Sequence, residues 1–266
     1  PAVKTDASGV QFVGWDAKTP AGWGHLIDAD TAIVNLAGSP VANWRWTAPH
    51  KQRVLQSRLD TSQAVLDAIR TAKAKPAVLL QASAVGYYGS RGDETLAERS
   101  PRGAGWRADV CVEWEAATDP IDELGVRRCV LRIGIVLDRR SGALPPLLLA
   151  GRMLGGRLAD GRQWIPWIHN VDVARSIVHL LTDTRISGAV NLVAPYPVTN
   201  ADFLSVVGGR LGTPTFIPVP GWGLRLALGE MATTVLDSQR VYPPVLLDGG
   251  FEFAFPTIDD ALADLV

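Results

Sequence analysis

The segment Ala77–Ala84 (AVLLQASA) constrains the fold most, because polar and apolar residues do not alternate regularly along it. A strand of this kind is typical of a parallel sheet that is covered on both faces. Helical periodicity precedes it over Thr47–Lys73, and a second helix, about Ala104–Glu123, separates it from another apolar strand, Arg128–Leu137. With the earlier strand Thr31–Ala37, the order is β-α-β-α-β, which predicts an α/β fold with an open parallel sheet.

The long helix after the first of these strands has clear start signals. Thr47 is suited to cap it and Pro49 to occupy its first turn. Apolar residues then recur at helical spacing: Val54, Leu55, Leu59, Val65, Leu66 and Ile69. Upstream of this unit, Val10–Trp15 is predicted to be a short strand.

The second half of the chain mixes helices and strands with prolines and glycines. A helix is predicted to begin with Asn170 or with Asp172 as its cap, and Asn200 is predicted to cap a further helix. Buried or short strands are expected at Ala189–Pro195 and at the segment FEFAF, residues 251–255.

Length and composition fit one large α/β domain with a small appended lobe. The 266 residues are 47% hydrophobic and 20% charged, which is ordinary for a globular core. We divide the chain into a sheet domain, residues 1–140, and a segment, residues 141–266, that contributes later sheet strands and a small C-terminal substrate lobe.

Charge and cysteine content narrow the classes of partner. A net charge of −1 leaves no long-range field for nucleic acid or an anionic membrane, and no run of eighteen apolar residues predicts a membrane span. Neither a signal peptide nor a disulfide framework is indicated, since the two cysteines, Cys111 and Cys129, stand alone. We expect a cytoplasmic protein that binds a small molecule, with no nucleic acid and no membrane.

Ligands of open α/β sheets bind beyond the carboxyl ends of the strands. Three such ends stand out here: Asn35–Ser39 (NLAGS), Ala82–Gly89 (ASAVGYYG) and Arg132–Val136 (RIGIV). A small residue followed by glycine in the first of them lets a flat ring or a pyrophosphate approach the backbone closely. The predicted cofactor contacts are Asn35, Ala37, Gly38, Arg58, Ala82, Ile133, Gly134 and Ile135.

Several motifs together resemble one known family. They are NLAGSPVANWRWTAPHKQRVLQSR, SAVGYYGSRGDE, VEWEAA, LRIGIVLDRRSGALP, WIPWIHNVDVARSI, NLVAPYPVTNADF and GFEFAFPTIDDALADL. From Asn35 to the C terminus, the chain is similar to an uncharacterised epimerase-family branch of the extended short-chain dehydrogenase/reductases, which carries a C-terminal domain of unknown function. The resemblance implies a Rossmann-like doubly wound parallel sheet, NADP or NAD as cofactor, and a small lobe for a polar, perhaps nucleotide-linked, substrate.

The N-terminal region departs from that family pattern. A Rossmann enzyme opens with a strand, a G-x-x-G-x-x-G turn and a helix, and nothing in Pro1–Asp30 matches this unit. The sequence therefore looks truncated, lacking the first β-α-β unit, and we expect weak or absent cofactor binding. The later glycines at 151, 155, 156 and 161 follow a proline-rich break, so we interpret them as a substrate-side loop in preference to a phosphate cradle.

The catalytic pair is the second departure. The superfamily uses a serine and a Tyr-x-x-x-Lys pair, in which the lysine helps the phenol to act near neutral pH. Every lysine of this chain precedes Ser83, and the helix that should carry the pair places Cys111 near the tyrosine position and Glu115 near the lysine position. A carboxylate there would raise the pKa of a nearby phenol instead of lowering it.

Ser83, Tyr87 and Tyr88 are the candidate catalytic residues, each with a structural alternative. Ser83 either bonds a substrate oxygen or satisfies a local backbone group. Tyr87 or Tyr88 either donates a proton or packs against the next helix.

Aromatic and basic residues suggest the substrate contacts. Trp44, Arg45 and Trp46 offer ring faces and a guanidinium for an anionic substrate, or they anchor a loop. Trp167 and His169 lie in the segment WIPWIH, where extended relatives close the substrate cleft, although a histidine near a strand end is more often a hydrogen-bonded structural residue. The other histidines have no ligand partners at metal spacing, so no metal site is predicted.

Three functions remain open on the sequence alone. The first is an NADP-dependent oxidoreductase or epimerase-like enzyme that acts on a small polar, possibly nucleotide-linked, substrate. The second is a non-catalytic dinucleotide-binding or regulatory protein that has lost the Tyr-x-x-x-Lys pair. The third is a chain whose sheet edge is stabilised by a partner or by a second copy in a homodimer.

Overall fold

The structure is a computed structural model that describes residues 4–42, 45–154, 157–212 and 219–266. Short strands run through all four ranges: β1 (Lys4–Thr5), β2 (Gln11–Phe12), β3 (Ala32–Asn35), β4 (Val78–Ala84), β5 (Thr95–Leu96), β6 (Arg127–Ile133), β7 (Ile135–Leu137), β8 (Trp164–Ile165), β9 (Trp167–His169), β10 (Gly188–Leu192), β11 (Val198–Thr199) and β12 (Arg240–Val241).

Helices alternate with these strands in the first part of the chain and dominate the last part. They are α1 (Ala48–Thr71), α2 (Trp106–Ala116), α3 (Leu144–Leu154), α4 (Asn170–Thr182), α5 (Asn200–Leu211), α6 (Gly221–Leu228), α7 (Thr233–Leu236), α8 (Pro244–Asp248) and α9 (Ile258–Leu265). No helix within the described ranges is both long and apolar enough to cross a bilayer.

The central sheet has the strand order β10-β6-β4-β3, and all its pairings are parallel. Asn35 lies opposite Gln81, and Ser83 lies opposite Arg132. The carboxyl ends of these strands therefore meet at one edge of the sheet, as the sequence pattern predicts. The expected α/β fold with a parallel sheet is confirmed.

Helix α1 follows the start signals in its sequence. The Thr47 hydroxyl accepts a hydrogen bond from the His50 amide, and Pro49 lies in the first turn, where its missing N–H costs nothing. Its buried face, which includes Val65 and Ile69, packs with Leu79 of β4. The middle of α1 lies beside the turn after β3, because the side chains of Ser57 and Arg58 bond to the Ser39 backbone.

The predicted strand Arg128–Leu137 is two strands, because the chain turns at Gly134. A Cβ at this position would lie 2.4 Å from the Pro166 carbonyl oxygen, so only glycine allows the two backbones to approach this closely. The Ile135 amide donates to the same carbonyl at 2.6 Å, and β7 continues in a separate pairing with β9.

Two predicted strands differ from the structure. Val10–Trp15 forms only β2, which pairs with β1 in a hairpin outside the central sheet. FEFAF is not a strand: the amides of Ala254 and Phe255 donate to the buried carboxylate of Asp172, at 2.8 and 2.9 Å. Asp172 is therefore not a helix cap, and its side chain holds the C-terminal segment against α4.

Helix boundaries also differ in detail from the predictions. Helix α2 ends at Ala116, where the prediction ran to Glu123, and a 3₁₀ turn over Asp119–Leu124 follows with a proline in its first turn. His169 and Thr199, one residue before the predicted caps, accept the capping hydrogen bonds of α4 and α5. At α4 the Val171 amide donates to both His169 and Asn170, whereas the Asn200 side chain at α5 accepts a hydrogen bond from the Leu158 amide instead.

Candidate cofactor and substrate site

Ser83 stands at the carboxyl end of β4 with its hydroxyl engaged. Its Oγ donates a hydrogen bond to Glu115 Oε1 at 2.6 Å, and the residue is 3% exposed. Glu115 comes from α2, the helix that follows β4 in the chain. A serine whose proton points at a carboxylate presents only lone pairs to a ligand, so Ser83 can accept a hydrogen bond there.

Glu115 is held by a bidentate pair with Arg132 of the neighbouring strand β6. Arg132 Nε donates to Oε1 at 3.0 Å and Nη2 donates to Oε2 at 2.9 Å. Burial alone would lower the pKa of Arg132, but its hydrogen bonds to Glu115 and its proximity to Tyr88 outweigh that effect and raise the pKa above its usual value. Arg132 therefore keeps its charge beside the Glu115 carboxylate, with which it forms a buried ion pair.

The remaining guanidinium nitrogen of Arg132 connects Tyr88 to the network. Arg132 Nη1 donates to the Tyr88 hydroxyl at 3.1 Å and to the Glu98 carbonyl at 3.0 Å, and the Tyr88 hydroxyl donates to Asn191 Oδ1 at 2.7 Å. Tyr88 is fully buried, and burial raises its pKa to about 12. The candidate role of Tyr88 as an acid/base is therefore corrected: it is a neutral structural group.

Tyr87 occupies a different environment from its neighbour. Its ring lies against the Arg132 guanidinium, whose Cζ is 3.5 Å from the ring centroid, and it meets the Tyr88 ring edge to face at 5.3 Å. Tyr87 is only half-buried, and its hydroxyl makes no hydrogen bond within the described residues. Of the two tyrosines, Tyr87 is the one whose phenol remains available to a ligand.

Burial of Tyr88 predicts a loss of stability at high pH. Its pKa is about 12 when folded and about 10 when unfolded, so above pH 10 the unfolded chain releases a proton that the folded chain keeps. The stabilisation is complete below pH 10, and about 1 kcal/mol is lost by pH 11. Urea denaturation between pH 9 and 11 measures it.

Tyr88→Phe should remove this component of the pH dependence, besides lowering stability at neutral pH through the lost hydrogen bonds. Tyr196→Phe, which removes an exposed hydroxyl, is the control. Identical pH slopes for the wild-type chain and Tyr88→Phe would contradict the prediction.

Cys111 lies near the site at the position where the superfamily places its tyrosine. The thiol contacts the Ala84 carbonyl at 3.5 Å, and burial, with the nearby charge of Glu115, raises its pKa to about 11. A thiol that stays protonated at neutral pH is neither a nucleophile nor a base. Cys111 therefore fills space behind Ser83.

The carboxyl end of β3 forms the second half of the site. The Asn35 amide donates to Gln81 Oε1 at 2.9 Å, and Asn35 Oδ1 accepts from the Ala37 amide at 3.2 Å. Asn35 thereby shapes the turn, whereas Gly38 at its tip is exposed. A Cβ on Gly38 would lie 3.3 Å from the Arg58 side chain, so the absence of a side chain lets the turn rest on Arg58.

Arg58 reaches from α1 to this turn. Its Nη1 donates to the carbonyls of Ser39 at 3.0 Å and Val54 at 2.9 Å, and its Cζ lies 4.6 Å from the centre of the Trp114 ring. The residue is 9% exposed, and burial lowers its pKa. Because an arginine stays protonated even so, the site contains a buried positive charge.

Two of the three side chains Trp44, Arg45 and Trp46, which are predicted to contact substrate, make contacts within the protein. Trp46 is buried against Trp106, with ring centroids 4.6 Å apart, and its indole donates to the Val41 carbonyl. Arg45 donates to the carbonyls of Leu226 and Ala227 at the end of α6. Trp44 lies outside the described residues.

The remaining predictions separate into core residues and site residues. Trp167 and His169 are 1% and 0% exposed, and the His169 ring stacks on Phe255 at 3.8 Å. These two residues are corrected from substrate contacts to core residues. Ile135 packs against the cluster that contains Trp167. The Pro166 backbone fills the space in which a side chain at Gly134 would lie. Ala82 is buried and Ile133 is half-buried, at the carboxyl ends of β4 and β6.

No group of three potential metal ligands is found among the residues that the structure describes. The C-terminal segment contributes to the site indirectly, since the Gln239 amide donates to the carbonyls of Val85 and Gly89 at 2.8 and 2.9 Å. These bonds close the turn that carries Tyr87.

Arg132 is a side chain of the candidate site that the sequence pattern does not identify. The sequence pattern identifies it only as part of a strand end, although a charge inside the run RCVLRIGIVL signals a buried partner. Asn191 in NLVAP carries the same signal. The partners themselves, Glu115 and Tyr88, are 17 and 44 residues from Arg132, so only the folded chain identifies them.

Comparison with known proteins places this chain in a family. Residues 219–265 match a family model described as a domain of unknown function, DUF1731. The chain is 38% identical over 243 residues to the chloroplastic SDR39U1 homolog of Arabidopsis thaliana, an epimerase family protein, covering 90% of this chain and 70% of the relative. It is 34% identical to the epimerase family protein YfhF of Bacillus subtilis, covering all of this chain and 87% of the relative.

Solved structures agree with this relationship. The human epimerase family protein SDR39U1, crystallised with NADPH, superimposes with a TM-score of 0.83 at 34% identity, covering 90% of this chain and 82% of that one. A UDP-glucose 4-epimerase of Thermus thermophilus in complex with NAD shares the fold, with a TM-score of 0.68 at 18% identity, covering 89% of this chain and 78% of that one. The chain belongs to the epimerase family of the extended short-chain dehydrogenase/reductases.

Proposed function

We propose that the chain binds NADP(H) across the carboxyl ends of β3 and β4 and acts as an oxidoreductase or epimerase-like enzyme on a small polar, nucleotide-linked substrate. The observation that carries this proposal is the convergence of Ser83, Tyr87 and the Gly38 turn at one edge of the parallel sheet. The NADPH bound to the human relative supports the choice of cofactor.

The residues present fit a dinucleotide. The Gly38 turn is exposed and has no side chain to block a close approach, and Arg58 supplies a positive charge beside it. Ser83 lies on the adjacent strand β4 and Tyr87 in the 3₁₀ turn that follows it, where the reactive part of the cofactor would face substrate. A bound nicotinamide supplies the hydride chemistry, and the protein supplies binding and proton control.

Proton control differs from that of a Tyr-Lys enzyme. The Ser83 hydroxyl donates a hydrogen bond to Glu115, so its oxygen is left to accept a hydrogen bond from a ligand hydroxyl. Tyr87 is the group that donates or receives the proton at the reacting oxygen. Arg132 fixes the Tyr87 ring by stacking and holds Glu115, so one residue orients both polar groups of the site.

Cofactor binding is tested by thermal unfolding of the chain with NADPH and with NADP⁺ up to millimolar concentrations, because Pro1–Asp30 contains no G-x-x-G-x-x-G turn and the affinity is expected to be weak. At ten times its Kd, a ligand that binds only the folded state stabilises it by about 1.4 kcal/mol. For a chain of this size we expect the Tm to rise by about 3–6 °C. ATP at the same concentration is the control for non-specific effects, and an unchanged Tm with both nicotinamide nucleotides would refute the proposal.

A non-catalytic dinucleotide-binding protein is the second candidate, and one observation favours it. No lysine follows Ser83, and the cation nearest to Tyr87 is neutralised by Glu115. This candidate predicts NADPH binding without turnover against a panel of nucleotide-linked carbonyl and hydroxyl compounds. Hydride transfer that is abolished by Ser83→Ala would eliminate it.

A further inference from the structure

Residues 221–237 form a thinly packed segment, which we call the strap. It comprises α6, a 3₁₀ turn and α7, and Ala232 is its only buried residue. Leu224 and Val235 are half-buried and pack against the core cluster that contains Trp167. A segment with so few buried apolar contacts opens locally at a low free-energy cost while the rest of the protein stays folded.

Both ends of the strap are fixed. Val219, just before it, forms a β-bridge with the chain that follows α3. Just after it, the Ser238 amide donates to Ser90 Oγ at 3.1 Å, and the Gln239 side chain bonds to the turn that carries Tyr87. The strap can therefore open without moving Tyr87.

The first turns of α1 and α2 stand beyond the edge of the sheet that carries Tyr87. Arg58 of α1 meets the turn after β3, and Lys51 lies about two helical turns closer to the N terminus of α1, so it stands about 10 Å further out. Arg107, in the first turn of α2, packs beside the residue that precedes Tyr87, since a Cβ on Gly86 would lie 3.4 Å from the Arg107 Cβ.

Two ion pairs join these helix starts to the strap. Lys51 pairs with Glu230, and Arg107 pairs with Asp237. Arg107 also donates to the Thr233 carbonyl at 3.3 Å. The side chains of Lys51, Arg107 and Asp237 are 23%, 20% and 25% exposed. Both pairs are thus partly shielded from water, which makes them stronger than fully exposed pairs.

Arg45, just before α1, makes a third contact with the strap. It donates to the carbonyls of Leu226 and Ala227, at 2.9 and 3.3 Å. These carbonyls lie at the C terminus of α6, where the helix dipole favours a cation. All three contacts join a positive side chain to a negative group of the strap, so salt weakens them together.

We propose that the strap is a closure for the candidate site, and that the ion pairs of Lys51 and Arg107 are its latch. The strap crosses from α1 to α2 just beyond the Gly38 turn and Tyr87, so its release opens that edge of the sheet to ligands. The latch stands on its own contacts, whereas its purpose rests on the proposed function. Because the latch is ionic, raised ionic strength favours the open strap.

Hydrogen exchange of backbone amides, followed by mass spectrometry on the ligand-free chain, tests the latch. In the double variant Lys51→Met with Arg107→Met, amides of the strap should exchange about 5- to 30-fold faster than in wild type. Amides of β4 should keep their wild-type rates, because the opening is local. Arg102→Met is the matched control, since it breaks an ion pair with Asp109 on the first turn of α2 that does not reach the strap.

Salt provides a second route to the same answer. Wild type in 1 M NaCl, where the Debye length is about 3 Å, should exchange like the double variant. Circular dichroism verifies that each variant is folded, and the salt series on wild type decides the question if the double variant is not. Strap exchange that is the same at low and high salt, or the same in the double variant and in Arg102→Met, would overturn the latch and leave the proposed function intact.

Release of NADPH separates the closure from the proposed function. Excess NADP⁺ displaces bound NADPH in a stopped-flow instrument, and the change in NADPH fluorescence gives the rate. We expect release from the double variant to be at least about fivefold faster than from wild type. Equal release rates from a strap that opens faster would overturn the closure. If millimolar NADPH does not bind wild type, the proposed function and the closure both fail, and faster strap exchange then establishes the latch alone.

Discussion

Glu115→Ala is expected to destabilise the folded chain by about 3–5 kcal/mol, because it leaves Arg132 buried without its counter-charge. The side chains of Arg132 and Glu115 are 6% and 14% exposed, so water cannot replace the lost carboxylate efficiently. The substitution also frees the Ser83 proton, which then points at no acceptor. Denaturant unfolding followed by circular dichroism measures the loss.

The control for Glu115→Ala is Glu113→Ala on the same helix. Glu113 is exposed and forms no ion pair within the described residues, so its removal should change stability by less than about 0.5 kcal/mol. In the double variant Glu115→Ala with Arg132→Met, much of the loss should be recovered, because no unpaired charge remains. Additive losses from the two single variants would show that the pair is not coupled.

The parallel sheet could be predicted because its determinants are local. Unbroken apolar runs such as Val78–Leu80 require cover on both faces, and the helix between two such runs fixes the direction of the connection. Thr47 and Pro49 define the start of α1 by bonds within four residues. Each of these signals can be interpreted without knowing what the rest of the chain does.

Only part of the site could be predicted from the sequence, because the contacts that define it join residues far apart in the chain. Ser83 is identified by its place at a strand end, but its orientation depends on Glu115, 32 residues away. Tyr87 and Tyr88 are adjacent in the sequence, yet one meets solvent and the other is enclosed by Asn191 from a strand more than 100 residues later. Roles that depend on burial by distant segments have no local sequence signal.

Arg132 changes the consequence of the absent Tyr-x-x-x-Lys pair, because it pairs with the carboxylate that stands near the lysine position. Sequence reasoning placed a bare carboxylate beside the phenols, whereas the structure neutralises Glu115 by a guanidinium from the next strand. Arg58 carries a further positive charge at this edge of the sheet, beside the Gly38 turn. The positive charge of Arg58 is thus available for binding an anion and does not activate a phenol.

Gly134→Ala is expected to destabilise the chain by about 3 kcal/mol or more, because a small-to-large change is costly where backbone, not a flexible side chain, is in the way. The new Cβ would lie 2.4 Å from the Pro166 carbonyl oxygen and 2.8 Å from Val193 Cγ1. Relief requires β9 to move away from β7, which breaks the 2.6 Å bond from the Ile135 amide to that carbonyl. Thermal and urea unfolding measure the change.

Gly209→Ala provides a control of opposite sign. Gly209 lies at an exposed position of α5, where a Cβ meets no atom within 4 Å, so alanine should stabilise the chain by about 0.5–1 kcal/mol. The pair also decides the role of Gly134, which the sequence suggested as a cofactor contact. If its function is the close approach of two backbones, Gly134→Ala lowers the Tm, while NADPH affinity of the fraction that remains folded changes little. A variant with wild-type stability but a weakened affinity for NADPH would restore the cofactor contact and reject the packing argument.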